Sequence, residues 1–163
     1  MGSQVPIIIS NFWLRPSKNV FECVNGACEL TGDYIVDLDN HLGRLIEKIG
    51  VDKKIYIVGQ LPIPKDKQII KCVKRNLLLG INDNCGEFGS PRSSVVNINE
   101  VLRKVSQKYA NVDFIDLSKH ICADGRCKYT LNGSSLFSTD GEHLSGFGSE
   151  FFWSLLIREI EKG

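Results

Sequence analysis

The stretch Lys54-Ile-Tyr-Ile-Val-Gly59 decides the fold class of this 163-residue chain. Its four central residues are apolar or aromatic, and three of them are β-branched, so no polar side chain is available for a solvent-facing side. Pro62 and Pro64 follow shortly afterwards and force an extended loop. The stretch therefore predicts a strand that is buried on both of its faces.

A second apolar run, residues 5–10, predicts another buried strand, which is expected to be parallel, and residues 112–117 predict a third strand. Helical spacing of apolar residues predicts helices over residues 33–49 and 65–79, and a third marked by Val95, Ile98, Leu102, Val105 and Tyr109. Strands that alternate with helices predict an α/β fold with a mostly parallel sheet. Ligands gather at the carboxyl ends of such strands, where Phe12-Trp13 and Gly59-Gln60-Leu61-Pro62 lie.

The last 40 or so residues have their own local signals. Residues 122–131 predict a small cysteine-closed loop and hairpin, and Asn132-Gly133 predicts a turn. Ser145 is the expected N-cap of a final helix. The predicted inward face of that helix consists of Phe147, Phe151, Phe152, Leu155 and Leu156.

Composition is that of an ordinary globular protein, with 42% hydrophobic and 24% charged residues, and the length predicts one domain over residues 1–163. Twenty Lys and Arg against nineteen Asp and Glu give a net charge of +1, which argues against a nucleic-acid partner. No apolar run approaches the roughly 20 residues of a membrane span, and no signal peptide is recognisable. We therefore expect a soluble chain without an export signal of its own.

The six cysteines conflict with that expectation, because they fall into sequence-local pairs in polar, turn-rich contexts. We predict three disulfides, Cys23–Cys28, Cys72–Cys85 and Cys122–Cys127, and hence an oxidising compartment. Free core thiols are the main alternative. Zinc is a weaker one, because no pair has two-residue spacing and no His-x3–5-His motif is present. We expect no metal and no cofactor.

The segment Asp140-Gly-Glu-His143 carries the chemistry. An Asp three residues before a His suits a hydrolase dyad, in which the imidazole takes a proton from a hydroxyl and the carboxylate fixes its tautomer. The alternative is structural: Asp140 closes an Asx turn and His143 helps to cap the final helix. His41 is expected on the solvent face of a helix, and His120 has no carboxylate at a helpful spacing except Asp116.

Several blocks, taken together, resemble the SGNH domain that is fused to acyltransferase-3 membrane proteins. The resemblance covers nearly the whole chain and is most specific at its end. The matching blocks are Ile7-Ile-Ile-Ser-Asn-Phe-Trp13, Ile55-Tyr-Ile-Val-Gly-Gln-Leu-Pro62, Asp116-Leu-Ser-Lys-His-Ile-Cys122-Ala-Asp-Gly-Arg-Cys127, Leu136-Phe137 and Asp140-x-x-His143-Leu-Ser-x-x-Gly148.

The resemblance implies a flavodoxin-like three-layer α/β/α sandwich, exposed on the periplasmic side of the cytoplasmic membrane as the C-terminal part of a larger protein. It would help to transfer acyl groups, typically acetyl, from an acyl donor to hydroxyls of a cell-surface glycan. By the same resemblance, Asp140 and His143 are the acid and base of the catalytic triad. The partner would be a membrane acyltransferase domain upstream of this chain.

One departure from the family pattern concerns the nucleophile. SGNH enzymes place their serine in a Gly-Asp-Ser block, and this sequence has none, since Gly32-Asp33 is followed by Tyr34. We therefore expect that the chain lacks the first strand, that two strands face an unfilled gap, and that the chain alone is inactive and marginally stable. Asn11 and Trp13 lie near the expected oxyanion hole, although a core role is more usual for Trp13.

Two functional hypotheses follow. The first is an acyltransferase or esterase domain that is crippled without its serine. The second is a non-catalytic glycan-binding or scaffold remnant of such a domain. A redox or metal protein built on the cysteines is disfavoured because the sequence has no Cys-x-x-Cys.

Overall fold

The computed structural model describes residues 5–10, 13, 33–86 and 88–162. The predicted Cys23–Cys28 pair, Asn11 and Phe12 lie outside these residues. The described elements are β1 (Ile7–Ile9), α1 (Tyr34–Ile49), β2 (Ile55–Val58), α2 (Gln68–Leu79), β3 (Phe88–Gly89), α3 (Ser93–Ser106), β4 (Val112–Ile115), a 3-10 helix (Leu117–His120), β5 (Cys122–Ala123), β6 (Arg126–Lys128), β7 (Thr130–Leu131), β8 (Ser134–Ser135) and α4 (Gly146–Lys162).

These elements form two compact units. Unit 1 contains Met1–Gln60 and Val96–Asp116, and unit 2 contains Leu61–Val95 and Leu117–Gly163. In the part of the chain that the structure describes, no helix combines the length and the apolar character that a membrane span requires.

Unit 1 is built on a parallel three-stranded sheet in the order β1-β2-β4. Ile55 of β2 is in register with Ile7 on one side and with Val112 on the other. All four residues of β2 are buried, as the uninterrupted apolar run predicts. The predicted α/β class with a mostly parallel sheet is confirmed.

The core of unit 1 lies on one face of this sheet. Ile55 and Ile57 point to that face, because alternate residues of a strand share a side, and both are fully buried. Leu38, Leu42 and Ile46 of α1 and Ile98, Leu102 and Val105 of α3 complete the cluster. Helix α3 ends at Ser106, so Tyr109, which was predicted to lie on it, packs against the core from beyond the helix.

The ends of α1 follow the expected local chemistry. The Asp33 carboxylate accepts hydrogen bonds from the amides of Ile35 and Val36 and so caps the first turn. Gly50 ends the helix with a φ of 97°, a conformation that favours glycine. Asp33 therefore has a helix-capping role here.

The expectation of an unfilled gap between two strands is wrong for the described sheet. β2 pairs with β1 through three residues and with β4 through four, and both ladders are continuous. The reason is that β1 occupies the position beside β2 directly, so the backbone of β2 is paired on both sides.

Unit 2 contains two adjacent hairpins with matching turns. β5 pairs with β6 through Asp124-Gly125, and β7 pairs with β8 through Asn132-Gly133. All four turn residues have positive φ, between 51° and 77°, as two-residue hairpin turns require. The sequence predicts the cysteine-closed hairpin and the Asn132-Gly133 turn, but it does not single out Asp124-Gly125 as the turn of the first hairpin. β6 also pairs with β3, a two-residue strand for which the sequence gives no strand signal.

Two disulfides brace unit 2. Cys72 of α2 is bonded to Cys85, and Cys122 is bonded to Cys127 across the β5–β6 hairpin. Both are among the pairings that the sequence predicts. Neither free core thiols nor zinc ligation accounts for these four residues.

Helix α4 begins as predicted, because the Ser145 hydroxyl accepts a hydrogen bond from the amide of Gly148 over 2.9 Å. Its inward face contains Phe152, Leu155 and Leu156, all buried. Phe147 was predicted on this face but is exposed. At 3.6 residues per turn it lies about 140° around the helix from Phe152, so it faces away from the core.

Candidate active site

The loop between β8 and α4 carries the predicted dyad and is closed at its base by its own backbone. Phe137 and Leu144 form an antiparallel bridge. Inside it, the amide of Ser138 donates to the carbonyl of His143 over 2.8 Å, and the amide of Gly141 donates to the carbonyl of Ser138 over 2.9 Å. These bonds hold the loop as two consecutive tight turns.

The base of the loop is anchored in the core of unit 2. Leu136 and Phe137 are buried, and the Phe137 ring packs edge-on against Tyr129 and Phe152 at centroid distances of 5.7 and 6.4 Å. On the other side, the first turn of α4 comes so close that a Cβ on Gly148 would lie 1.9 Å from the carbonyl oxygen of Leu136. Only glycine fits at this position.

The Asp140 carboxylate is held by four donors. Oδ1 accepts from the Ser138 hydroxyl at 2.7 Å and from the amides of Glu142 and His143 at 2.8 and 3.0 Å. Oδ2 lies 2.6 Å from Nδ1 of the His143 ring. Asp140 thus closes the Asx turn of the structural interpretation with one oxygen and contacts the imidazole with the other. The two interpretations are compatible.

The electrostatics follow from these donors. Hydrogen bonds from the backbone amides of His143 and Glu142, then from the side chains of His143 and Ser138, hold the pKa of Asp140 far below its ordinary value. The carboxylate is therefore charged at neutral pH and accepts the Nδ1 proton of the ring. That tautomer leaves a lone pair on Nε2 of His143. Within the described residues, no group is hydrogen-bonded to this nitrogen.

Glu142 lies inside the dyad loop and was not among the predicted site residues. Its carboxylate is 3.4 Å from Nζ of Lys67 and 3.3 Å from a guanidinium nitrogen of Arg92. Both cations belong to segments of unit 2 that are 75 and 50 residues away in sequence. No local signal predicts such distant partners. The two ion pairs tie the dyad loop to the start of α2 and to the segment before α3.

The other histidines have different surroundings. His120 lies 3.2 Å from Glu159 of α4, a carboxylate that spacing alone did not suggest. Hydrogen bonds from Lys119 first, and then from Lys162, lower the pKa of Glu159 to about 2. His41 is half-buried on α1, so its expected place on the solvent face is only partly correct.

A second polar cluster lies in unit 1 at the carboxyl end of β2. The backbone amide of Gln60 donates to Oδ1 of Asn99 at 2.7 Å, and Nδ2 of Asn99 donates back to the Gln60 carbonyl at 3.0 Å. The Gln60 side chain accepts from the amide of Trp13, whose indole donates to the carbonyl of Val58. Trp13 is buried in the core. Its backbone amide and its indole N–H each already donate a hydrogen bond within unit 1. No motif in the sequence marks Asn99 as a partner of Gln60.

The serines of unit 2 that the structure describes beside the dyad have structural partners. The hydroxyl of Ser135 donates to the carbonyl of Phe137, and that of Ser145 donates to the carbonyl of Ser135. The hydroxyl of Ser138 donates to Asp140. None of these three is bonded to the His143 ring.

Comparisons with known proteins identify the family of the chain. Residues 4–157 match the model of a family described as the SGNH domain fused to AT3 domains. A solved structure described as a candidate platelet activating factor from Streptococcus pneumonia aligns with 19% sequence identity and a TM-score of 0.46. The alignment covers 70% of this chain and 46% of that one, so the chain spans less than half of that protein. Comparison with curated proteins gives no significant match. Because the family model covers almost the whole sequence, the chain belongs to the family of SGNH domains that are fused to acyltransferase-3 domains.

Proposed function

We propose that Asp140 and His143 form the acid–base dyad of an SGNH-type acyltransferase or esterase domain. The observation that supports this most directly is the 2.6 Å contact between Oδ2 of Asp140 and Nδ1 of His143. The carboxylate is oriented by backbone amides of its own loop, so its position does not depend on flexible side chains. The imidazole is largely exposed, which suits a group that must reach a substrate.

The proposed chemistry is proton transfer during acyl transfer. Nε2 of His143 removes the proton from a nucleophilic hydroxyl as its oxygen attacks the acyl carbonyl carbon. The resulting imidazolium is stabilised by the Asp140 carboxylate and then returns the proton to the leaving oxygen. No net change of protonation or oxidation state occurs over the cycle. No cofactor or metal takes part in this proposal.

We propose that the acceptor is a hydroxyl of a cell-surface glycan and that the transferred group is a small acyl group, typically acetyl. Members of the family are fused to acyltransferase-3 domains, and such a membrane domain would deliver the acyl donor. The disulfides Cys72–Cys85 and Cys122–Cys127 support an oxidising, extracytoplasmic location. Residues 1–163 would then act as one domain of a larger membrane protein.

The alternative is a non-catalytic glycan-binding or scaffold module. It is favoured by one observation, namely that the 163 residues contain no Gly-Asp-Ser triplet. In that case the dyad loop would serve as a rigid polar surface, and the exchange of its imidazole for another side chain would leave acyl transfer unchanged.

The test replaces His143 in the whole protein together with its membrane domain. His143→Ala should reduce the O-acyl content of the cell-surface polysaccharide by at least about 10³-fold per unit of protein, because the general base is lost. Acyl content is measured as acetate released by mild alkali. His120→Ala is the matched control, since it removes another histidine that faces a carboxylate. Unchanged acylation in His143→Ala would rule out the proposal and favour the binding module.

A further inference from the structure

Helix α2 ends in three consecutive leucines that are strongly exposed. Leu77, Leu78 and Leu79 are 75%, 72% and 65% exposed, and Ile81, two residues further on, is 41% exposed. Most large apolar side chains in a folded protein are isolated when they are exposed, whereas a contiguous apolar patch usually marks an interaction surface. We refer to Leu77, Leu78, Leu79 and Ile81 as the leucine tip.

The leucine tip is held in a fixed shape, so its exposure does not result from a frayed helix end. Gly80 ends α2 in the left-handed conformation, and the amide of Ile81 donates to the carbonyl of Asn76. The Asn76 side chain donates to the carbonyl of Asp83 over 2.7 Å. The next turn is covalently bound to the helix through Cys72–Cys85. The segment that follows the tip is therefore braced beside it.

Basic side chains lie on α2 next to the leucine tip. Residues 65–75 contain five Lys or Arg and one Asp, although the whole chain has a net charge of only +1. Lys71, Lys74 and Arg75 are exposed on α2. At about 100° per residue they lie on the same side of the helix as Leu78. Arg75 is paired with Asp83, whereas no ion pair of Lys71 or Lys74 occurs among the described residues.

We propose that the leucine tip and the basic face of α2 form a docking surface for a membrane that contains anionic lipid. The leucines would enter the boundary between headgroups and acyl chains, and Lys71 and Lys74 would reach the lipid phosphates through their flexible stems. The positive charges of Lys71 and Lys74 beside the apolar leucine tip complement an anionic membrane, which presents negative headgroups above an apolar layer. A protein partner would need an acidic patch and an apolar patch in the same arrangement. The family's fusion to acyltransferase-3 domains places its members at a membrane. The proposal does not depend on the role of His143.

The test is sedimentation of the 163-residue chain with vesicles of phosphatidylcholine, with and without about one-third phosphatidylglycerol. We expect binding to the anionic vesicles at low salt and at least about tenfold weaker binding to the neutral ones, as for other basic interfacial segments. Leu77→Ser/Leu78→Ser/Leu79→Ser should reduce binding to the anionic vesicles about tenfold or more, because it removes the inserted apolar groups. Lys71→Glu/Lys74→Glu should abolish the preference for anionic lipid.

Matched controls separate a local effect from a general one. Val5→Ser/Val51→Ser/Val96→Ser removes three exposed apolar side chains elsewhere and should leave binding unchanged. Lys48→Glu/Lys104→Glu produces the same change of net charge on exposed positions of α1 and α3 and should have little effect. Circular dichroism confirms that each variant is folded.

Three results would overturn the proposal: no binding of the folded chain to anionic vesicles, equal binding to both kinds of vesicle, or unchanged binding in the triple leucine variant. A concentration-dependent dimer that the leucine variant abolishes, without any lipid binding, would assign the surface to a second copy of the chain and would also contradict the proposal.

Discussion

Unit 2 contains two histidine–carboxylate pairs with very different surroundings. In the first, His143 is 71% and Asp140 48% exposed, and the carboxylate is held mainly by amides of its own loop. In the second, His120 is 26% and Glu159 12% exposed, and the carboxylate is neutralised by Lys119 and Lys162. A short distance between an imidazole and a carboxylate is therefore common to both pairs and cannot by itself identify a catalytic dyad.

The difference lies in what the carboxylate can do for the imidazole. Asp140 has no lysine or arginine bonded to it within the described residues, so its negative charge is available to stabilise an imidazolium. Glu159 is already paired with the ammonium groups of Lys119 and Lys162. It would therefore stabilise a positive charge on the His120 ring less than Asp140 would stabilise one on His143. The exposed ring of His143 can also approach a substrate, whereas the ring of His120 is 26% exposed and lies beside Glu159 of α4. This contrast favours His143 as the reactive histidine.

The largest expected effect on acyl transfer comes from replacing one carboxylate, Asp140, and the matched replacement of Glu159 serves as its comparison. Asp140→Asn keeps an oxygen for the loop amides but presents an amide group to Nδ1, so the ring takes the wrong tautomer. Acyl transfer by the whole membrane protein should then fall about 10²–10⁴-fold. Glu159→Gln should leave transfer within about twofold, because the proposed chemistry uses His143 and not His120. Equal losses in both variants, measured as alkali-labile acetate on the polysaccharide, would show that the two pairs do not differ in function.

The next effect concerns Gly148 in the first turn of α4. A Cβ there would lie 1.9 Å from the Leu136 carbonyl oxygen. Gly148→Ala should therefore lower the free energy of unfolding by about 2–3 kcal/mol through overpacking. It should also displace the dyad loop and so reduce the proposed acyl transfer. The contact of His120 with Glu159, which lies about three turns further along α4, should stay in place.

Gly146→Ala is the control for this prediction, because nothing lies within 4 Å of its Cβ position. We expect this variant to be neutral or more stable by up to about 1 kcal/mol, since alanine favours the helix. Urea unfolding of both variants measures the difference. Equal stabilities would mean that α4 does not approach Leu136 as closely as described.

The smallest effect is the pH dependence of stability. The pKa of Asp140 and that of Glu159 are both lower in the folded chain than in the unfolded one. Each group therefore stabilises the fold above its unfolded pKa of about 4 and loses that contribution as the pH falls towards its folded pKa, about 2 for Glu159. Asp140→Asn and Glu159→Gln should each flatten the decline of stability between about pH 4 and pH 2.

Salt should distinguish the two contributions. The Glu159 contribution depends on exposed lysines and should shrink in 1 M NaCl, where charges are screened beyond about 3 Å. The Asp140 contribution depends on short hydrogen bonds to backbone amides and should persist. Urea midpoints at both ionic strengths provide the measurement, and an equal salt response in the two variants would contradict the assigned causes.

The sequence by itself determined the features that depend on near neighbours along the chain. The buried strand at Ile55–Val58, the capping of α1 by Asp33 and of α4 by Ser145, and the Asn132-Gly133 turn all arise within a few residues. The Asp140–His143 contact belongs to this class, because three residues of tight turn are enough to bring the carboxylate to the ring. Such features follow from backbone geometry and local hydrogen bonding.

Only the tertiary structure decided the features that depend on distant segments. It placed β1 directly beside β2, brought Lys67 and Arg92 to Glu142, and gave His120 its carboxylate on α4. The tertiary structure also left Leu78 exposed at the end of α2, while Ile70 and Val73 of the same helix are buried. These contacts are selected by the packing of whole helices and strands against one another, a many-body condition that no short stretch of sequence encodes.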